Sequence, residues 1–287
     1  MELKSLRLFL EAAESGSFVA AAERANTVQS NVTAHIKKLE SELNAKLFER
    51  KGGIRLTGAG TTLVDHARKI LSSHDDVLGL FQQQHSANSR LRIASMETTT
   101  AIRLPAILAA FYQRYPQVDL TVETSPSAQL VERLIKGEAD GIFVAGETRH
   151  SQFYHQKVFS EQLVLVGPGE FTHIPAAEEL LESAFLSFRQ GCSYRQRIEL
   201  FLASQGIHST RIFEFGSIDG MLGCVAGGMG YALMPLSVVL SHQGRFNIGY
   251  QEIADDIALV DTYFSTGNPQ SWSPALKQFV ELLPRLK

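Results

Sequence analysis

Gln29-Ser30-Asn31-Val32-Thr33-Ala34-His35-Ile36-Lys37-Lys38-Leu39-Glu40-Ser41-Glu42-Leu43 is a stretch with two faces. Val28, Val32, Ile36, Leu39 and Leu43 recur at intervals of four, four, three and four residues, which predicts a helix with one apolar stripe set against a core. Turning about 100° per residue from Val32 puts Ser30, Ala34, Lys37, Lys38 and Ser41 on the opposite side, with Asn31 and Thr33 flanking them. His35 falls near the apolar edge and is read as a packed or bridging side chain rather than part of the outer face.

Two shorter helices are predicted upstream. Leu3, Leu6, Leu10 and Ala13, with Phe9 beside them, have helical spacing, and Ser15-Gly16-Ser17 ends that helix. Phe18, Ala21, Ala22 and Ala25 form the inner face of the second, where small alanines permit close approach, and Asn26-Thr27 breaks it. Downstream, the run from Leu47 to Thr57 reads as two strand-like pieces around Gly52-Gly53, with Arg50, Lys51 and Arg55 at the tip. Two short helices, a third with a small, polar and cationic outer face, and a basic hairpin form the layout of a winged helix-turn-helix that enters a major groove.

Charge supports that reading only locally. The chain of 287 residues carries a net −3, but residues 1–60 hold nine lysines and arginines against seven glutamates. Its length suits two domains, and 44% hydrophobic residues can fill ordinary cores. There is no run of about 18 uncharged apolar residues, and Met1 opens a stretch with Glu2 and Lys4, so a cytoplasmic protein is expected. Cys192 and Cys224 have neither a disulfide framework nor metal-ligand spacing, and no cofactor or metal is expected.

Ser17-Phe18-Val19-Ala20-Ala21-Ala22-Glu23-Arg24, Gln29-Ser30-Asn31-Val32-Thr33, Ile36, Leu39-Glu40, Leu43, Leu47-Phe48-Glu49-Arg50 and Leu56-Thr57-Gly58-Ala59-Gly60 together resemble the DNA-binding domain of LysR-type regulators. The resemblance implies base contacts from Gln29, Ser30, Thr33 and Ala34, and minor-groove or phosphate contacts from the wing between Arg50 and Arg55. Ser30 stands where that family often has proline, and Ala34 where it often has arginine, which shifts expected base reading toward Gln29, Asn31 and Thr33. Lys37, Lys38, Arg50, Lys51 and Arg55 are the expected backbone contacts.

From Thr61 to Gln84 there is no proline and only Gly79 among the glycines. A helix of about 24 residues would reach about 36 Å. Leu63, Ala67, Ile70, His74, Val77 and Phe81 repeat at heptad spacing, widened by Val64, Leu71 and Leu78. Such a seam suits pairing of two copies, with packing on its own domain as the alternative, and the family resemblance implies pairing. A dimer or tetramer on a roughly palindromic operator is expected. Ser86-Ala87-Asn88-Ser89 reads as a polar hinge.

Beyond it, Leu91 to Ser95, Val118 to Glu123, Gly141 to Val144, Leu163 to Val166, Ala184 to Phe188, Arg211 to Phe215 and Tyr231 to Met234 read as strands. Helices are expected over Pro105 to Tyr115, Ala128 to Lys136, Tyr194 to Ser204 and Ile218 to Ala226, giving an α/β domain with parallel pairs. Ligands gather at the carboxyl ends of such strands, where helix N-termini expose N–H groups. The loops there are rich in hydroxyls: Ser95 to Thr100, Thr124 to Ser127, Arg189 to Ser193 and Gly216 to Asp219. Helix capping is the bland alternative for any one of these hydroxyls.

Leu104-Pro105, Phe111-Tyr112-Gln113-Arg114-Tyr115-Pro116, the run from Leu134 to Asp140 and the run from Ala226 to Pro235 are similar to the LysR-type effector domain, which shares its fold with periplasmic binding proteins. The implied organisation is a DNA-binding domain over 1–60, a linker helix and hinge over 61–88, and an effector domain over 89–287. Its subdomain I spans about 90–160 plus 256–287, and subdomain II about 161–255. The resemblance places effector contacts on Ser95, Thr98, Thr99, Ser125, Ser127, Ser193, Ser217 and Met229.

The expected function is a sequence-specific transcriptional regulator whose operator binding responds to a small molecule. The alternative is a small-molecule-binding or enzymatic α/β domain carrying a protein-interaction module. Arg189 and Arg195 give a mild preference for an anionic effector. Cys192 precedes a helix start, where a dipole can activate a thiol, but with no evident resolving partner it is read as a buried or pocket-lining thiol. No Ser-His-Asp constellation is forced, so catalysis is not expected.

Overall fold

A computed structural model of the chain describes residues 1–49, 54–81, 90–146 and 153–284. The chain divides into two compact units, Met1–Ser86 with Ile135–Glu138, and the remainder. The first contains α1 (Leu3–Ser15), α2 (Phe18–Arg24), α3 (Gln29–Glu42), β1 (Phe48–Glu49), β2 (Arg55–Leu56) and α4 (Gly58–Phe81).

Local chemistry sets these boundaries. Gly16, at φ 62°, takes the left-handed conformation that ends α1, and its N–H donates to the Ala12 carbonyl. Ser17 caps α2 by accepting from the Ala20 N–H. Asn26 and Asn44 adopt positive φ just beyond α2 and α3, where asparagine is tolerated better than most side chains. Val32, Ile36 and Leu39 are fully buried against α1 and α2, each worth about 1.5–3 kcal/mol of apolar burial. The ends of the predicted stripe depart from expectation. Val28 and Leu43 are 64% and 41% exposed, because they sit at the helix termini where the stripe runs past its neighbours.

The wing strands pair antiparallel, Phe48 opposite Leu56 and Glu49 opposite Arg55. Phe48 faces inward, its ring 5.5 Å from that of Phe9 and 5.4 Å from that of Phe18, so the hairpin shares the helical core. Along α4, Leu63, Ala67 and Leu71 join that core. Ile70, Val77 and Leu78 are exposed, so the expected seam is split: one edge serves its own domain and the other is left open. The Phe81 side chain and the hinge at 86–89 lie outside the described residues.

The second unit runs β3 (Arg90–Ser95), α5 (Glu97–Ile102), α6 (Leu104–Arg114), β4 (Asp119–Thr124), α7 (Ser127–Ile135), β5 (Gly141–Ala145) and β6 (Tyr154–Pro168). It continues through α8 (Ala177–Glu182), β7 (Ala184–Phe188), α9 (Ser193–Ser204), β8 (Arg211–Phe215), α10 (Ile218–Ala226) and β9 (Tyr231–Pro235). Then come α11 (Leu236–His242), β10 (Ile248–Glu252), α12 (Asp255–Ala258), β11 (Leu259–Thr266) and α13 (Pro274–Glu281).

Among the described residues the strands run β4-β3-β5-β11-β6-β9-β7-β8, with β10 also paired to β6. The long β6 joins two halves. It pairs with β11 as far as Gln162 and with β9 from Leu163 onward. Parallel pairing holds for β3 with β4 and β5, and for β7 with β8 and β9. It does not hold throughout: β11 is antiparallel to β5 and β6, and β6 to β9 and β10. The expected parallel pairs are therefore present, and the antiparallel β6, β10 and β11 make the sheet a mixed one. Residues 259–266 run back between β5 and β6, where no crossover helix is needed to reverse direction. Each half has its own core, around Phe111, Phe143, Phe264 and Phe279 in the first, and around Val164, Met221, Leu222 and Met234 in the second.

Candidate nucleic-acid interface and ligand cavity

On α3 the side opposite the core stripe is open. Gln29, Ser30, Ala34, Lys37 and Lys38 are exposed, while Asn31 and Thr33 are partly covered. Asn31 Nδ2 donates to Thr27 Oγ1 at 2.8 Å, which fixes its amide against the turn before the helix. Lys38 is less free than its sequence position suggests: its Nζ pairs with Glu2. That hydrogen bond and ion pair raise the Lys38 ammonium and lower the Glu2 carboxyl relative to their ordinary values. His35 bridges, its Nδ1 lying 2.9 Å from Ser5 Oγ and 3.8 Å from Glu2. Arg55 is exposed on β2, and Arg50 and Lys51 lie outside the described residues.

The outer face rests on a buried carboxylate that sequence reasoning did not single out. Glu40 is 4% exposed and accepts from the Leu47 N–H at 2.9 Å and from Lys46 Nζ at 3.2 Å. Burial pushes its carboxyl up, but the Leu47 and Phe48 amides and Lys46 together outweigh burial and hold it below its ordinary value. Glu40 thereby ties the end of α3 to the first wing strand.

In the second unit a cavity of about 220 Å³ opens between the two halves of the sheet. From the first half come Met96, Glu97 and Thr98 at the start of α5, and Thr124, Ser125, Pro126 and Ser127 leading into α7. From the second come Phe188, Arg189, Cys192 and Tyr194 around the start of α9, with Phe215 and Gly216 before α10. Strand ends thus deliver helix N-termini to one space, as expected of an open α/β sheet.

Among the described residues several contacts join the two sides. The Thr98 and Tyr194 hydroxyls are 3.3 Å apart, Ser127 Oγ and Ser193 Oγ are 3.4 Å apart, and Glu97 Oε1 accepts from the Ile218 N–H at 3.0 Å. Ser193 Oγ also donates to the Ala145 carbonyl at 3.2 Å. Burial raises the Glu97 carboxyl, with Asp219 adding to the rise and the Ile218 amide opposing it. Burial likewise pushes the Cys192 thiol up, despite the amides of Tyr194 and Arg195, so the thiol is not activated by its place before α9. Tyr194 is a neutral phenol, raised far above its ordinary value by burial.

Of the residues predicted to hold an effector, Thr98, Ser125 and Ser127 form part of the wall. Ser193 touches the wall through Ser127. Ser95 and Thr99 are buried and Ser217 caps α10 by accepting from the Gly220 N–H, and these three are outside the lining. Met229 is 40% exposed and does not line the cavity, since it lies in the turn beyond α10, at the opposite end of that helix from the strand ends. Arg195 is committed to Glu214 at 2.6 Å and Glu199 at 3.5 Å, whereas Arg189 lines the cavity. Glu97, Phe188, Tyr194 and Phe215 were missed. Glu97 lies within a loop singled out for its hydroxyls, and in the sequence Phe188, Phe215 and Tyr194 read only as two strand ends and a helix start.

Comparison with known proteins agrees with this geometry. The model of the bacterial regulatory helix-turn-helix protein, lysR family, matches residues 3–61, and that of the LysR substrate binding domain matches residues 84–286. The HTH-type transcriptional regulator GltR of Bacillus subtilis is 35% identical over 98% of this chain and 95% of its own length. YofA of the same organism, also an HTH-type transcriptional regulator, is 36% identical over 92% of each. In fold, the chain is similar to a full-length OxyR variant from Pseudomonas aeruginosa, with TM-score 0.75, 23% identity and coverage of 98% and 94%. It is also similar to full-length CbnR solved in complex with its target DNA, with TM-score 0.71, 24% identity and coverage of 99% of each chain. With its helix-turn-helix and its substrate-binding domain both matched across nearly the whole length, the chain belongs to the LysR family of DNA-binding, effector-responsive transcriptional regulators.

Proposed function

We propose that Gln29, Ser30, Thr33 and Ala34 on the open side of α3 meet base edges in the major groove of an operator, with Asn31 beside them. Lys37, Lys38 and Arg55, together with Arg50 and Lys51, supply phosphate contacts. The observation that carries this is the division of one helix: Val32, Ile36 and Leu39 are sealed, while Gln29, Ser30, Ala34 and Lys37 face solvent. That the similar CbnR was solved on its target DNA supports the same use of the fold. The open edge of α4, with Ile70, Val77 and Leu78, is the surface through which two copies pair on a two-fold operator.

The cavity between the sheet halves receives the effector, with Thr98, Ser125 and Ser127 among its contacts. Its role is binding, in keeping with the transcriptional regulators to which the chain is similar. An effector that favours one arrangement of the crossing contacts shifts the regulator between states, and a near-complete switch needs about 5.5 kcal/mol of differential binding. The test is a gel shift of the full chain at low salt against DNA flanking its own gene. A shift that weakens steeply with salt is expected, and no shift at low salt would overturn the reading.

A further inference from the structure

The cavity wall holds two opposite charges that do not pair with each other. Glu97 is half-buried, and its only polar contact among the described residues is the Ile218 N–H on Oε1, leaving Oε2 without a donor. Arg189 stands at the exposed rim of the same wall and makes no ion pair among the described residues. A carboxylate left half in low dielectric without a cation is costly, and burial does raise the Glu97 carboxyl. Elsewhere in this unit carboxylates taken out of water are matched, as the buried Glu161 is by Arg103 and the half-buried Asp140 by Arg92. The unmatched pair belongs to the surface that opens onto a ligand.

We propose that the effector is a small zwitterion, its ammonium set against Glu97 and its carboxylate against Arg189 and the Ser125 and Ser127 hydroxyls. A cavity of about 220 Å³ is below the usual range for drug-sized ligands and admits a molecule of amino-acid size. Phe188 and Phe215 offer apolar contact to a side chain between the charged ends. The inference rests on the cavity being the effector site. Glu97 is then the residue that distinguishes a zwitterion from a plain organic acid, because an acid without an ammonium would bring a second anion to an uncompensated carboxylate.

The full chain is screened by thermal shift and calorimetry against the twenty proteinogenic amino acids, and each binder is compared with its des-amino acid and its decarboxylated amine. At least one amino acid is expected to bind, with both analogues weaker by about tenfold or more. Glu97→Gln keeps an acceptor for the Ile218 N–H, so the fold is retained. It should weaken the amino acid by about tenfold or more while leaving the des-amino acid unchanged or tighter. Arg189→Gln should weaken the amino acid and the des-amino acid alike. The proposal is overturned if no amino acid binds, if des-amino acids bind wild type equally well, or if Glu97→Gln leaves amino-acid affinity unchanged. Those results leave the operator reading standing, since that reading falls only on the gel shift.

Discussion

A side chain at Gly60 would place its Cβ 2.2 Å from the Leu47 carbonyl oxygen and 2.9 Å from Leu56 Cδ2. The start of α4 therefore touches the backbone of the wing directly. Thr57 completes the junction: its hydroxyl donates to the Lys46 carbonyl at 2.6 Å and accepts from the Gly60 N–H at 3.0 Å, capping the helix it precedes. Thr57 and Gly60 of the run from Leu56 to Gly60 thus have a physical reason.

Gly60→Ala should accordingly destabilise the N-terminal unit by about 1–3 kcal/mol, because the obstacle is backbone rather than a flexible side-chain end. Urea unfolding followed by far-UV circular dichroism checks it. An unchanged midpoint would mean that the wing and α4 are not in close contact.

Glu40 should make the same unit sensitive to acid. Its carboxyl is held below the ordinary value of 4.5, so its contribution is complete above that value and is lost as pH falls through the depressed one. Glu40→Ala, which leaves the buried Leu47 N–H without its acceptor, should cost about 1–3 kcal/mol at neutral pH. Glu40→Gln should flatten the acid dependence. Thermal melts of the three proteins between mild and strong acid provide the comparison.

Where the sheet halves meet, Glu161 accepts from Arg103 Nε at 2.6 Å, from Arg103 Nη2 at 3.0 Å and from Ser237 Oγ at 3.1 Å. Arg103→Ala leaves a carboxylate that is 7% exposed without its cation, for an expected loss of about 3 kcal/mol. Arg103→Ala combined with Glu161→Gln should recover part of it, as calorimetry of single and double variants would register.

Ser125→Trp should fill the cavity. Any small molecule that raises the melting temperature of wild type by binding there should lose that effect, while operator affinity without ligand stays within about threefold, since α3 is untouched. Retained stabilisation would move the effector elsewhere.

Much of this was legible in the sequence because it is local. The spacing of Val32, Ile36 and Leu39 announced which side of α3 is sealed, and Ser15-Gly16-Ser17 and Asn26-Thr27 marked the helix ends through their own backbone preferences. The wall at Thr98, Ser125 and Ser127 followed from strand ends and hydroxyl-rich loops. What was hidden depends on long-range pairing. Strand β11 lies between β5 and β6 through contacts with residues about a hundred positions or more away, so no local pattern reveals its antiparallel sense. Tyr194 and Phe215 become wall residues only when two halves of the sheet are brought face to face, and Glu40 is identifiable as a buried anchor only once Leu47 returns to it.

The central claim is that the exposed side of α3, and Gln29 above all, reads operator sequence. Fluorescence anisotropy of wild type and Gln29→Ala, on the operator and on random duplex at one salt concentration, tests it directly. The expected result is a loss of about 1–3 kcal/mol on the operator with little change on random DNA. Equal losses on both duplexes, or none on either, would contradict it.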